Sequence, residues 1–295
     1  MKIPSILKAV YQNFPVVREL TQVREEIKGL RDTLIQAEVK HAVEKIDREI
    51  KENPRYADAR KLNRFEFQVY SQSGEDGILR EIFRRISPGD RTFVEIGVGD
   101  GLENNTAFLL SAGWKGFWVD SNEYFEKTVR EHPDLGGGVL RTSRCFVTRE
   151  QIAGLFENLG VPREFDLLSI DIDMNTYYIW EALAEYRPRV VVVEYNAALP
   201  SDVEWKVRYG ADRVADLSHN FGASLKAYEN LGRRLGYTLV GCDFTGTNAF
   251  FVRADLADEK LFAAPFTSEN HYEPPKYYLH HRRGHGATLL DRMPS

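Results

Sequence analysis

The chain has 295 residues, 43% of them hydrophobic and 28% charged, with a formal net charge of -5. That composition fits a soluble protein built from one large α/β domain plus an appendage, or from two small domains, long enough to bury a substantial core. It provides no global positive field to attract nucleic acid, and no run approaches the roughly 18 apolar residues of a membrane-spanning helix. Cys145 and Cys242 lie far apart in apolar, strand-like runs, which predicts buried free thiols and a reducing, cytoplasmic setting. Lys2, Pro4, Lys8 and Pro15 interrupt the opening MKIPSILKAVYQNFPVV, and no small-residue cleavage site follows, so it is not read as a signal peptide.

Residues 1–63 read as an N-terminal helical region. Val16, Leu20, Val23, Ile27, Leu30 and Leu34 follow heptad spacing, with Arg24, Glu25, Glu26 and Lys28 on the flanks. The phase then shifts to Ile35, Val39, Ala42 or Val43, Ile46 and Ile50, which interrupts a strict supercoil. Asn53-Pro54 ends the helix, because the residue before proline is pushed out of the helical region. Two readings stand open: a helix packed on its own globular domain, or a coiled coil joining copies of the chain into a homo-oligomer. The narrow apolar stripe on a highly charged helix favours the second.

Residues 64–258 alternate strand-like and helix-like segments. Strands are expected at 92–97, 116–120, 139–147, 165–171 and 189–195, with helices at 104–112, 122–131, 149–158, 177–186 and 221–235. Four consecutive valines, 190–193, mark a strand buried on both faces. Gly236 stops the last helix, and segments 237–243 and 248–253 flank Phe244-Thr245-Gly246-Thr247 as a hairpin. The pattern predicts an α/β fold with a mostly parallel seven-stranded sheet and a closing antiparallel hairpin. Residues 259–295 form a tail with Pro265, Pro274, Pro275, His280, His281 and His285. Its His-His-Arg-Arg-Gly-His run lacks the usual zinc spacing.

The most informative stretch is FVEIGVGDGLENNT, residues 93–106. A strand runs into Glu95-Ile96-Gly97-Val98-Gly99-Asp100-Gly101, and a helix follows that Asn104, Asn105 or Thr106 could cap. Glycines let the turn be tight and the backbone approach a ligand. In an open α/β sheet that ligand sits beyond the carboxyl ends of the strands. The loop departs from a dinucleotide fingerprint: its third glycine is one place early, and Leu102 stands in the fingerprint position. Glu95 would be unwelcome beside a pyrophosphate but suits a cationic ligand with an amino group and a sulfonium. Asp120 ends the second strand, Gly116-Phe117-Trp118-Val119-Asp120, at the spacing of a carboxylate that accepts from both ribose hydroxyls.

On these stretches, together with YSQSGEDGILREIF (70–83), DLLSIDID (166–173), RPRVVVVEYN (187–196) and FGASLKAYENLGRRLGYTLVGCDFTGTNAFFVR (221–253), the chain resembles the class I S-adenosylmethionine-dependent methyltransferases. More narrowly, it resembles the bacterial group related to the FkbM-type enzymes. The resemblance covers about two thirds of the chain and implies a Rossmann-like methyltransferase fold. It implies that Glu95, Gly97, Gly99 and Gly101 line the methionine part of the cofactor and that Asp120 holds the ribose. It further implies Ser121 and Asn122 near the adenine, with residues 145–147 beside the ring. Ser71, Gln72 and Asp76 would close over the site from the preceding helix. It also implies acceptors in glycan or lipopolysaccharide modification.

Methyl transfer to a hydroxyl requires two oriented reactants and a proton acceptor. Candidates cluster at two neighbouring strand ends, Ser169-Ile170-Asp171-Ile172-Asp173 and Glu194-Tyr195-Asn196. Asp171, Asp173, Glu194 and Asn196 offer oxygen ligands that suit a hard cation such as Mg²⁺. The alternative is that Asp171 and Glu194 position substrate and cofactor by hydrogen bonds alone. Met174 and Thr176 stand where relatives carry Gly and Asp, which removes the loop beyond Asp173 from any ligand set. His219 is a candidate general base, and Tyr177 or Tyr178 a candidate stacking surface for a sugar. The competing reading is a non-catalytic cofactor-binding scaffold that assembles through its N-terminal helix. A nucleotide-dependent oxidoreductase is disfavoured by Leu102 and Glu95.

Overall fold

A computed structural model describes residues 15–132, 135, 137–214 and 218–277. The chain divides into two units, Met1–Glu49 and Ile50–Ser295. Helix α1, Pro15–Glu52, includes all the described residues of the first. It ends where Pro54, which has no N–H to continue the ladder, begins a 3-10 turn capped by the Asn53 side chain.

The second unit holds seven strands: β1 Thr92–Ile96, β2 Lys115–Asp120, β3 Leu140–Arg144, β4 Glu164–Ile170, β5 Arg187–Glu194, β6 Tyr237–Cys242 and β7 Asn248–Arg253. They form one sheet in the order β3-β2-β1-β4-β5-β7-β6. Pairs from β3 through β5 are parallel, and β7 runs against both β5 and β6. The expected mixed α/β sheet is therefore present. Helices α2 Glu75–Ile86, α3 Ala107–Ser111, α4 Tyr124–Glu131, α5 Ile152–Leu159, α6 Thr176–Ala182, α7 Leu225–Leu235 and α8 Ser268–His271 complete the unit.

The sheet is apolar on both faces, as its valine run requires. Val191 and Val193 pack with Phe156, Ile179, Trp180 and Leu231 on one side. Val190 and Val192 pack with Ile78, Ile82 and Phe262 on the other. This period of two is the alternation of a strand's side chains, and each buried valine contributes roughly 1.5–3 kcal/mol of transfer free energy. The strand order reverses at β1, whose neighbours β2 and β4 lie on opposite sides, and this opens a crevice at the carboxyl ends.

Some boundaries differ from expectation. Helix α7 starts at Leu225 rather than 221, because the Ser224 side chain accepts from Ala227 N and caps it there. The division of the chain falls after Glu49. Beyond it, buried Tyr56 donates to Glu273 Oε2 at 2.8 Å, tying residues before and after the sheet together. Residues 259–277, part of the expected tail, contribute buried Phe262, His271 and Glu273. His280, His281 and His285 lie outside the described residues. Among the described residues, no helix is long and apolar enough to cross a membrane.

Candidate active site

The glycine loop leaves β1 at Ile96 and turns immediately. Gly97 (φ 87°) donates to Val119 O at 2.9 Å, and a Cβ there would sit 1.6 Å from the carbonyl oxygen of Asp171. No other residue fits that crossing. Gly99 (φ 65°) differs: its Cβ would point into open space, so only its backbone conformation calls for glycine. Gly101 packs against the Trp118 ring and lines neither cavity described below. Asp120 pins the loop to the end of β2. Its Oδ2 accepts from Gly99 N and its Oδ1 from Asn122 N, both at 2.8 Å.

Glu95 is buried within β1 and fully engaged. It accepts from Asn104 Nδ2 at 2.6 Å, Asn105 N at 2.8 Å, Thr106 N at 3.1 Å and the hydroxyls of Thr106 and Ser169. The expected cap is therefore reversed. Thr106 occupies the N-cap position of α3 without a side-chain cap bond; a strand carboxylate instead takes the amides just ahead of the helix, those of Asn105 and Thr106. Burial pushes the Glu95 carboxyl up, and the donors from Thr106, Asn104 and Asn105 oppose that rise.

Two cavities meet over these residues. One, of about 270 Å³, is lined by Ile96, Val119, Phe146, Val147 and Ile172 with Ser121, Asn122, Cys145 and Arg213. Phe146 and Val214 leave apolar surface exposed there. The other, of about 460 Å³, is lined by six carboxylates, Glu75, Glu95, Asp100, Glu103, Asp120 and Asp171, and, among the described residues, by no Lys, Arg or His. Gly97, Asp120 and Asp171 border both. Asn104 Oδ1 and Asn248 Oδ1, on residues lining the acidic cavity, are buried acceptors without a donor.

Asp171, Asp173 and Glu194 each bring a carboxylate oxygen within 4.8 Å of the others. Asp171 is pushed up to about 7, first by burial and then by the charges of Asp173, Glu95 and Glu75. Burial, then Asp171 and Asp173, raise Glu194 well above the usual carboxylate range. Burial also raises Asp173, which holds a left-handed backbone (φ 56°). Glu194 Oε2 is buried and has no donor. Two carboxylates this close favour sharing one proton.

Several expected site residues have other work. Asp76 lines neither cavity; its carboxylate accepts from the amides of Val69, Tyr70 and Ser71 and shapes the turn before α2. Asn196 donates to the carbonyls of His219 and Phe221 and accepts from Ala198 N, holding the loop after β5. That leaves the cation set to three carboxylates. The exposed His219 lines neither cavity, although its carbonyl meets Asn196 just beyond the end of β5. Tyr177 is buried, and the Tyr178 hydroxyl donates to Val207 O at 2.8 Å; neither lines a cavity. Met174 and Thr176 are core residues. Gln72, Ser121 and Asn122 do line the cavities.

The sequence reading missed Glu75, Asn248 and Arg213. Glu75 accepts from Asn248 Nδ2 at 2.9 Å across 173 positions, and Asn248 pairs in register with Glu194. The local hint for Glu75 was an acid in the first turn of α2, preceding the Asp76 that was chosen instead. Arg213 lies in the long connection between β5 and α7, which has no regular periodicity.

No protein-family model matches the chain, and no curated protein matches it. Among solved structures, it is similar to the magnesium protoporphyrin IX methyltransferase ChlM from Synechocystis PCC 6803 with bound SAH. That likeness has 12% identity over 61% of this chain and 81% of the other, with a TM-score of 0.41. An O-methyltransferase family protein from Burkholderia thailandensis shares 14% identity over 75% of this chain and 69% of its own, with a TM-score of 0.39. The glycopeptide N-methyltransferase MtfA shares 13% over 61% and 90%, with a TM-score of 0.38. Likeness at this level carries no functional argument, so function rests on the site's own geometry.

Proposed function

We propose that this chain binds S-adenosylmethionine across the two cavities and transfers its methyl group to a hydroxyl acceptor. The observation that carries this reading is the charge of the larger cavity: six carboxylates and, among the described residues, no basic side chain. Such a cavity repels a pyrophosphate and favours a ligand bearing an ammonium and a sulfonium. The orphan acceptors Asn104 Oδ1 and Asn248 Oδ1 would take ammonium N–H groups. The apolar walls of the smaller cavity suit a purine, and Arg213 offers it a guanidinium plane. Asp120, at the junction, keeps lone pairs free for ribose hydroxyls after receiving the amides of Gly99 and Asn122.

The cofactor supplies a methyl group on a sulfonium, which an oxygen nucleophile displaces as the C–S bond breaks and a C–O bond forms. Asp171, at the junction of the cavities and with its carboxyl near 7, would accept the hydroxyl proton. Asp173 and Glu194 would orient the acceptor oxygen. These three carboxylates also fit a hard cation such as Mg²⁺, since Glu194 Oε2 is a buried oxygen without a donor. A bound cation would lower the acceptor hydroxyl's pKa. For the acceptor we infer a sugar hydroxyl in a glycan or polysaccharide, a reading supported by the motif resemblance and by the exposed carboxylate of Asp173 at the cleft.

Calorimetry tests the cofactor. S-adenosylmethionine and its demethylated product should bind, NAD should not, and Asp120→Ala should weaken binding at least about tenfold, since each charge-assisted hydrogen bond is worth about 1.5–3 kcal/mol. Binding of NAD in place of S-adenosylmethionine would overturn the reading. Transfer of labelled methyl to a glycan panel, with and without a chelator, tests the acceptor and the cation.

A further inference from the structure

Helix α1 carries an apolar stripe that the site does not use. Val16, Leu20, Val23, Ile27, Leu30 and Leu34 are 48–65% exposed, although each is large and apolar. A monomer gains nothing from showing such a row to water, and most helical stability in proteins comes from packing an apolar face. The heptad register assigns Val16, Val23 and Leu30 to d and Leu20, Ile27 and Leu34 to a.

The flanks then decide what covers the stripe. In this register Glu19 and Glu26 fall at g, and Arg24 and Arg31 fall at e, all four exposed. In a parallel coiled coil a g residue of one helix lies beside an e residue of the following heptad in its partner. Glu19 of one copy then meets Arg24 of another, and Glu26 meets Arg31, with the reciprocal pairs made by symmetry. An antiparallel pairing brings g beside g and e beside e, setting Glu against Glu and Arg against Arg. Both attraction and repulsion therefore select one arrangement. The seam continues through Ala37 at d and ends at His41, an a position that a dry seam does not favour.

We infer that residues 16–34 form a parallel, in-register coiled coil with further copies of this chain. The inference is independent of the methyl-transfer reading, because no residue of the stripe lines either cavity.

Light scattering on the full chain tests it. The expected mass is at least twice the 33.9 kDa of one chain, falling to that of one chain in the double variant Leu20→Glu, Ile27→Glu. Both substitutions lie on exposed positions, and S-adenosylmethionine binding, or the near-ultraviolet signal of the buried tryptophans, reports whether the rest stays folded. Orientation is read from cross-linking. Val16→Cys should form a reducible covalent pair between copies, as should Leu34→Cys, because like positions face each other and disulfides need Cα atoms within about 7 Å. Residues 16 and 34 lie about 27 Å apart along a helix, so an antiparallel pair leaves both variants unlinked. A wild-type chain of single mass, or an assembly that Val16→Cys does not cross-link, would overturn the inference.

Discussion

Two sets of acids stand side by side at the carboxyl edge of the sheet, and they are treated in opposite ways. At the end of β1, Glu95 is buried and surrounded by donors from Asn104, Asn105, Thr106 and Ser169. At the ends of β4 and β5, Asp171 and Glu194 face each other, and Glu194 Oε2 has no donor among the described residues. Both places cost desolvation. The first offsets it with a full set of donors, so Glu95 is held as structure; the second has only the hydrogen bond between its own two carboxyls. The second is left with unsatisfied charge that a proton, a cation or a substrate hydroxyl would relieve.

Substitutions sharpen this contrast. The largest effect is expected from Asp171→Asn, which removes the proton acceptor and should lower kcat by about 10²–10⁴, or roughly 3–5 kcal/mol of barrier. The same change should raise stability, since it removes a charge that burial opposes. A melt with a Tm above wild type alongside lost turnover would carry both results, and unchanged turnover would remove Asp171 from the chemistry. Glu95→Ala should do the reverse. It strands the amides of Asn105 and Thr106, each costing about 1–3 kcal/mol when left unsatisfied, and should lower Tm by several degrees.

The loop that joins the two regions provides a matched pair. Gly97→Ala forces a Cβ into the Asp171 carbonyl and should cost about 3 kcal/mol or more from overpacking and positive φ together. Gly99→Ala meets no atom and should cost about 1 kcal/mol while weakening cofactor binding. Urea titrations of the two variants would separate them, and equal losses would contradict the crossing at Gly97.

The pH dependence should follow Asp171. Its folded value of about 7 lies above the ordinary 3.8, so the folded state holds the proton more tightly than the unfolded chain does. Stability from this group is complete below about pH 4 and is lost progressively as pH rises towards 7. The Tm advantage of Asp171→Asn should therefore be larger at pH 8 than at pH 5. Activity should move the other way, rising through pH 7 as the acceptor loses its proton; a flat profile across that range would reassign the base.

The sequence was sufficient for the strands and for the turn at Gly97, because alternation, valine runs and obligate glycines are local signals. It also placed Asp120, Asp171 and Glu194 at strand ends, since strand order and direction follow from repeated β-α units. It could not rank the acids, nor foresee that Asp76 and Asn196 would spend their polar atoms on neighbouring backbone. Asp76 and Asp171 are equally good carboxylates as letters. What separates them is that three local amides turn toward Asp76, while the strand ends turn Asp171 toward Glu194.

The heptad and its charges belong to the sequence alone, because their period is written residue by residue. Glu75 and Asn248 met only through the tertiary structure, since a hydrogen bond across 173 positions depends on where helix α2 and strand β7 come to rest. The same holds for the acid-lined cavity. Its walls come from five separate stretches of chain, and their summed charge exists only once the sheet has brought them together.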